Sequence, residues 1–260
     1  MEGTVSFVNP LLDRWASGGA VYSGWVSSGE PLIASFLAAC GFDEVLVDLQ
    51  HGAVELAHLP AAFAAIEARG VAPAVRVPVN DFTIIGRALD LGALSVMVPM
   101  VETADEAARA VAACRFPPLG RRSHGPIRAM TSMGSVDPAD LNQVACIVQV
   151  ETALGLRNVD QIAATPGLTG IFIGPSDLAL SMGLDENDPA AQPKREVAHA
   201  TILAATQRHG IVAGIITGNG TQAADRLGQG FRLVALTADI TLIAEGGARE
   251  LAIAKAAKRP

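Results

Sequence analysis

Short apolar segments alternate with amphipathic helical segments along the whole chain, and this alternation restricts the fold more than any other feature. Several apolar segments, such as residues 94–99, are almost uninterrupted, as strands buried on both faces require. The expected strands are residues 20–26, 44–48, 73–77, 94–99, 145–150, 170–174, 211–216 and 232–236, and the expected helices include 56–69, 103–114, 194–209 and 239–258. Eight strand–helix units in 260 residues predict a (β/α)8 TIM barrel forming one domain, residues 1–260.

A doubly wound open sheet is the main alternative fold. It usually carries a Gly-rich phosphate-binding turn after its first strand, and residues 24–26 do not form such a turn. Thr103 and Glu106 predict a capping box at the start of one helix. Residues 119–144 and 183–193 are expected to be the longest irregular segments, and in a barrel such insertions often belong to the catalytic face or to subunit contacts.

Composition and charge exclude several classes of protein. The net charge of -7 and the lack of a dense Lys/Arg run argue against a nucleic-acid surface. No apolar run reaches the ~18 residues of a membrane span, and residues 1–10 do not resemble a signal peptide. The three cysteines, Cys40, Cys114 and Cys146, have no metal-binding or disulfide spacing. We therefore expect a cytoplasmic protein that binds neither membrane nor nucleic acid.

The barrel prediction also indicates where a functional site lies, because side chains at the carboxyl ends of the strands meet at one mouth. An aromatic residue, a histidine, an arginine and several acids stand at these positions. The candidates in chain order are Trp25, Asp48, Gln50, His51, Arg76, Glu102, Gln149, Glu151, Asp177, Thr217 and Asn219.

Glu151 and Asp177 follow neighbouring expected strands, and paired carboxylates without His or Cys suit Mg²⁺ or Mn²⁺, with Co²⁺ as a further candidate. For Asp177, capping of the following helix is an equally open interpretation. The turn formed by Gly174, Pro175 and Ser176 also begins that helix, and its backbone N–H groups are suited to a substrate carboxylate.

His51 is the strongest candidate for a general base, because Asp48 lies three residues before it and can orient an imidazole. A strand-end histidine bonded to the backbone is the alternative. Arg76 lies inside an apolar strand and needs an anionic partner. That partner is either the substrate or, in a structural ion pair, Asp48 or Glu151. The Trp25 side chain either packs against its neighbours as a wall of the site or contacts a ligand.

His58, His199 and His209 lie on expected helices and are predicted to be surface residues. The three lysines, Lys194, Lys255 and Lys258, are also on expected helices, which disfavours Schiff-base chemistry at the mouth.

Five segments together resemble the HpcH/HpaI aldolase family. They are VDLQHG at 47–52, VMVPMV at 96–101, RFPPLGRR at 115–122, QVET at 149–152 and FIGPSDL at 172–178. The resemblance extends from about Trp25 to the end of the chain.

The resemblance implies a metal-dependent pyruvate aldolase on a TIM barrel. Glu151 and Asp177 would bind the divalent ion, Arg76 would stabilise the enolate oxygen, and His51 paired with Asp48 would transfer a proton. The keto-acid carboxylate would meet the backbone N–H groups of Ser176 and Asp177, beside Gln149, Gly174 and Pro175.

The resemblance also implies an assembly. The eighth helix, residues 239–258, would be exchanged between two subunits, and three dimers would form a homo-hexamer. Asp90 matches a family position near the subunit interface.

The chain departs from the family pattern at a few positions. Gln50 replaces a more frequent Glu, Glu102 stands where a small or amide residue is common, and residues 152–154 lack a usual charge pair. These departures leave open which aldehyde is used, with specificity expected in loops 119–135 and 183–193. Two other functions are considered, a lyase acting on a CoA thioester, as in the citrate lyase β branch, and a non-catalytic barrel that binds a keto acid.

Overall fold

Eight parallel strands close into a barrel in the computed structural model, which describes residues 6–185 and 187–256. Each strand pairs with the next in the sequence, and the eighth pairs with the first. The strands are β1 Val21–Val26, β2 Glu44–Asp48, β3 Ala72–Arg76, β4 Ser95–Val98, β5 Ala145–Val150, β6 Gly170–Ile173, β7 Val212–Ile216 and β8 Leu233–Ala238. The TIM-barrel prediction is confirmed, and each expected strand end lies within two residues of the observed one.

Helices follow the strands and surround the barrel. They are α1 Pro10–Ala16, α2 Pro31–Ala38, α3 Leu59–Glu67, α4 Phe82–Asp90, α5 Ala104–Cys114, α6 Ile127–Met133, α7 Pro138–Leu141, α8 Ala153–Arg157, α9 Val159–Ala163, α10 Pro175–Ser181, α11 Gln192–Arg208, α12 Gly220–Gln229 and α13 Asp239–Ala256. Short 3-10 turns at Leu56–His58 and Pro189–Ala191 precede α3 and α11.

The predicted capping box of α5 is present. The Glu106 N–H donates to Thr103 Oγ1 at 3.2 Å, and the Thr103 N–H donates to Glu106 Oε2 at 3.1 Å. The prediction that 119–144 is irregular is wrong, because α6 and α7 form there, α7 being capped by Asp137. The segment 183–193 is also shorter than expected, since α11 begins at Gln192.

Two apolar layers form the core, and the alternation of side chains along each strand separates them. One layer lies between strands and helices and includes Val45 and Val47 of β2. The other fills the barrel interior and includes Leu46 and Phe172. At Gly214 a Cβ would lie 2.6 Å from the Phe172 ring, so glycine there makes room for this interior aromatic side chain.

The same alternation points Glu44, Leu46 and Asp48 of β2 into the barrel interior. Glu44 lies below Leu46, and Asp48 lies above it. The lower part of the barrel contains buried polar residues, such as Ser23 and Ser95, and Leu11 and Trp15 of α1 belong to the interior layer. The upper end, at the carboxyl ends of the strands, receives the candidate site residues.

Helix α13 packs differently from the others. Of its residues, Asp239 is buried, and its carboxylate accepts the backbone N–H groups of Ser27 and Ser28. The apolar side chains that follow are 44–62 % exposed: Ile240, Leu242, Ile243, Leu251 and Ile253. The last residues of the expected helix, 257–258, lie outside the described residues. Among residues 6–185 and 187–256, no helix combines the length and the apolar character that a membrane span needs.

Burial of Glu44 inside the lower barrel predicts a pH-dependent stability. Burial, the dominant cause, raises the pKa of this carboxyl from 4.5 to about 7. The folded protein therefore holds a proton that the unfolded chain releases, and stability is lost as pH rises from about 4.5 to about 7. Relative to the natural chain, Glu44→Gln should gain about 3 kcal/mol in unfolding free energy over that pH range. Urea unfolding at pH 5 and pH 8 measures this gain.

The exposed Glu250, on α13, provides the matched control. Glu250→Gln, at an exposed side chain, should not reproduce the gain expected for Glu44→Gln. A Glu44→Gln effect that is independent of pH would contradict the assignment.

Candidate active site

An ion pair between Asp48 and Arg76 closes the top of the barrel interior. The two residues are partners on β2 and β3, which brings their side chains side by side. Arg76 donates through Nε to Asp48 Oδ1 at 2.8 Å and through Nη2 to Oδ2 at 2.6 Å. Both are buried, so removing either partner would leave an unpaired buried charge, at a cost of about 3–5 kcal/mol. The structural ion pair considered for Arg76 is therefore present.

Trp25 on β1 completes this cluster. Its indole Nε1–H donates to Asp48 Oδ2 at 3.2 Å, and the Arg76 guanidinium carbon lies 4.8 Å from the ring centroid. Burial acts to raise the pKa of Asp48, but the hydrogen bonds and charge of Arg76, together with Trp25, outweigh it and lower that pKa. Asp48 is thus ionised, and Arg76 is held rigidly. Among the described residues, Arg76 Nη1 has no hydrogen-bond partner and remains available to a ligand.

His51 lies in the loop after β2, and its relation to Asp48 differs from the expected one. Asp48 Oδ1 accepts the backbone N–H groups of Gln50 at 3.0 Å and His51 at 3.3 Å. The His51 side chain is exposed and makes no hydrogen bond with any described residue. The expected contact between Asp48 and the imidazole is not formed, because the carboxylate points into the barrel and is occupied by Arg76. Asp48 instead anchors the backbone that carries His51, whose catalytic role stays a prediction.

Glu151 follows β5 and is held by both of its carboxylate oxygens. Oε1 accepts the backbone N–H of Met100 at 2.8 Å, and Oε2 accepts Gln149 Nε2 at 2.7 Å. Burial, reinforced by the charge of Asp177, raises the pKa of Glu151 to about 7, although the Met100 N–H and the charge of Arg76 oppose it. The buried Glu151 carboxylate thus has polar neighbours, and the charge of Arg76 offsets its burial only in part.

Met100 is a site residue that the candidate list does not include, although it lies in the VMVPMV segment at 96–101. It is a non-glycine residue with φ 56°, in the left-handed region that side chains rarely adopt. This conformation lets its N–H reach Glu151, and the next N–H, of Val101, donates to Gln149 O at 3.1 Å. The backbone at the end of β4 therefore positions the carboxylate that follows β5.

Asp177 lies in the first turn of α10, and its side chain is exposed at the mouth. The N-cap of that helix is Gly174, so Asp177 does not cap it. Position 174 needs glycine because a larger residue has no room there. Its backbone conformation does not require glycine, since its φ is -91°. A Cβ there would lie 2.3 Å from Glu151 Oε2 and 2.7 Å from Gln149 Nε2. The turn formed by Gly174, Pro175 and Ser176 therefore packs directly against Glu151.

Several other candidates have structural partners or lie elsewhere. Glu102 accepts the Thr152 hydroxyl at 2.7 Å and links the end of β4 to α8. The surface prediction for His199 is wrong, because this α11 residue is buried. Lys194 and Lys255 lie on α11 and α13, and Lys258 lies outside the described residues. Thus no described lysine stands at a strand end.

The two carboxylates fit a divalent ion bound by oxygen. Among the described residues, no group of three or more His, Cys, Asp and Glu side chains could share a metal. Glu151 and Asp177 would therefore supply two ligands, and water and substrate the rest, as Mg²⁺ tolerates. The buried Gln149 Oε1 has no hydrogen-bond partner and offers a further polar contact beside them.

Comparison with known proteins gives consistent matches over nearly the whole chain. A family model described as HpcH/HpaI aldolase/citrate lyase matches residues 22–245. The chain is 37% identical over 245 residues to the hydroxypyruvate/pyruvate aldolase of Paraburkholderia phytofirmans, covering 90% of this chain and 93% of that protein. It is 39% identical over 243 residues to the 4-hydroxy-2-oxovalerate aldolase of Rhodococcus jostii, covering 92% and 93%.

A solved structure agrees with these matches. The crystal structure of an HpcH/HpaI aldolase/citrate lyase family protein from Burkholderia cenocepacia superposes with a TM-score of 0.89 at 35% identity. The superposition covers 96% of this chain and 100% of that one.

The close packing of Gly174 against Glu151 generates a prediction. In Gly174→Ala the new methyl group must displace the Glu151 carboxylate or its Gln149 partner. Affinity for Mn²⁺, measured by titration calorimetry, should therefore fall about tenfold or more. Gly86→Ala is the control, since a Cβ on this α4 residue meets nothing within 4 Å. Equal Mn²⁺ affinity in the two variants would contradict the proposed position of the ion.

Proposed function

The chain belongs to the HpcH/HpaI aldolase/citrate lyase family and is a pyruvate aldolase; from that premise we propose that it reversibly cleaves 4-hydroxy-2-oxo acids to an aldehyde and pyruvate or hydroxypyruvate. The observation that carries the proposal is the close association of Glu151 with Asp177 and Arg76 at one mouth of the barrel. Two acids and one fixed guanidinium are suited to a keto acid, whose negative charge grows during carbon–carbon cleavage.

We assign Glu151 and Asp177 as the residues that would hold Mg²⁺ or Mn²⁺. When bound, the ion supplies a Lewis acid for the keto oxygen of the substrate. Arg76 stabilises the charge that develops on that oxygen, and its Asp48 and Trp25 contacts keep it in place without reorganisation. The backbone N–H groups of Ser176 and Asp177 bind the substrate carboxylate.

His51 is assigned to the proton transfer. Cleavage of the C3–C4 bond requires removal of the proton from the 4-hydroxyl group, and an exposed imidazole at the mouth can accept it. The anchoring of its backbone by Asp48 keeps His51 near the ion pair. Because no described lysine stands at a strand end, a Schiff base has no candidate residue.

We further propose that the active protein is an oligomer. The exposed apolar side chains of α13 have little contact with their own barrel, and such a surface is unfavourable in water. Exchange of this helix between two subunits would bury it, and three such dimers would form the expected hexamer.

Removal of divalent ions tests the metal assignment. After treatment with a chelator and desalting, aldol cleavage of a 4-hydroxy-2-oxo acid should be lost, and Mg²⁺ or Mn²⁺ should restore it. Pyruvate release measures the rate. Glu151→Gln should stay inactive after the ion is added, since an amide loses the anionic ligand. Full activity in the chelator-treated natural chain would rule out the metal role.

Substitution of His51 separates an aldolase from a barrel that only binds a keto acid. His51→Ala should lower kcat for cleavage about 100-fold or more, while the Kd for pyruvate changes by less than about threefold. His58→Ala, at an exposed histidine on the 3-10 turn nearby, should retain the natural kcat. Undiminished turnover in His51→Ala would exclude His51 as the base.

A further inference from the structure

Asp239 lies where β8 passes into α13, and its buried carboxylate is surrounded by hydrogen-bond donors. Oδ1 accepts the N–H groups of Ser27 and Ile240 at 2.9 and 2.8 Å. Oδ2 accepts the N–H and the hydroxyl of Ser28 at 3.2 and 2.6 Å. Most of these donors belong to the loop that follows β1, so the Asp239 carboxylate fixes the position of that loop.

The loop after β1 contacts the loop after β2, which carries His51. Ser27 O accepts the N–H of Ala53 at 2.8 Å. A Cβ on Gly52 would lie 3.0 Å from Ser27 O and 3.2 Å from Ser27 Cα, so the two backbones touch. Gly29 has a φ of 77°, and a Cβ there would lie 3.1 Å from Ala53 O. Movement of the first loop would therefore displace the second.

His51 depends on its backbone for its position, because its imidazole makes no hydrogen bond with any described residue. On one side, the His51 N–H donates to Asp48 Oδ1 at 3.3 Å, which is longer than the usual range for such a bond. On the other side, the shorter bond of Ala53 to Ser27 holds the chain two residues further on. The contacts that restrain the His51 loop thus lead back through Ser27 to Asp239.

We propose that Asp239 is a positioning residue for the proton transfer: by fixing Ser27 and Ser28, it holds the His51 loop where the imidazole reaches the 4-hydroxyl group of the substrate. The inference rests on the proposed aldolase function and on the assignment of His51 as the base. A misplacement of about 1 Å by a distant substitution can lower a rate about 100-fold. Asp239 acts through His51, because its own carboxylate is buried and already occupied by protein donors.

Asp239→Asn tests this role with little change in side-chain shape. An amide keeps one acceptor oxygen but places N–H groups where the second carboxylate oxygen accepted hydrogen bonds. In the metal-loaded variant, kcat for aldol cleavage should fall about tenfold or more. The Kd for pyruvate and the affinity for Mn²⁺ should change by less than about threefold, since only the proton transfer is affected.

Asp140→Asn is the matched control. Asp140 is also buried, and its carboxylate accepts the hydroxyl groups of Ser6 and Ser135 at 2.6 and 2.7 Å. It lies on α7, which leads into the amino end of β5 and so lies away from the mouth. This variant should lose stability in urea unfolding but keep the natural kcat. An equal fall of kcat in both variants would overturn the positioning role.

A double-variant cycle shows whether Asp239 acts through His51. In a His51→Ala background, Asp239→Asn should lower kcat no further, because the imidazole that it positions is absent. Gly29→Ala, which presses on Ala53 without changing Asp239, should show the same dependence on His51. It supplies the test if Asp239→Asn does not fold. A further fall of the same size without the imidazole would overturn the inference.

The same measurements separate failure of this inference from failure of the proposed function. If the metal-loaded natural chain does not cleave 4-hydroxy-2-oxo acids, the proposed function is wrong and this inference falls with it. Full turnover in His51→Ala would likewise remove the base that Asp239 is proposed to position. If His51→Ala is impaired while Asp239→Asn and Gly29→Ala keep the natural kcat, the positioning role alone is overturned.

Discussion

In a closed barrel of parallel strands, alternate side chains point inward, and this constraint decides which residues can meet at the mouth. On β2 it places Glu44, Leu46 and Asp48 in successive levels of the interior. The register of β2 and β3 pairs Arg76 with Asp48, and the Trp25 indole on β1 reaches the same carboxylate through its hydrogen bond. A charge at that level is excluded from water and must have a partner. The bidentate pair of Asp48 and Arg76 meets this requirement, and the rest of the site is arranged around it.

The acids at the mouth are in opposite electrostatic situations. Arg76 lowers the pKa of Asp48, whereas burial raises the pKa of Glu151 to about 7. Asp48 therefore serves as the internal counter-ion of Arg76, which already neutralises its negative charge. Glu151 is fixed by the Met100 N–H and by Gln149, and the charge of Arg76 offsets its burial only in part. This contrast is why we propose the divalent ion beside Glu151 and Asp177, and not beside Asp48.

Much of this arrangement could be predicted from the sequence, because it depends on local pattern. The eight strands, the capping box of Thr103 and Glu106, and the strand-end positions of the acids all follow from apolar runs and short-range signals. Two short helices, α6 and α7, were missed within 119–144, and the other predictions that differed from the structure involve packing across elements. Asp48 bonds to Arg76 rather than to the His51 ring, and His199 is buried between helices rather than exposed. Sequence distance alone does not indicate either contact.

The sequence by itself determined the barrel and the residue types at its mouth, because the apolar pattern of consecutive residues sets the length and burial of each strand. Its resemblance to a family of aldolases also indicated the chemistry. Only the tertiary structure decided which acid pairs with Arg76 and which does not. This pairing depends on strand register and on which backbone N–H groups meet each carboxylate. The left-handed Met100 that positions Glu151 and the contact of Asp239 with the loop after β1 arise from elements distant in the sequence, so no local pattern could reveal them.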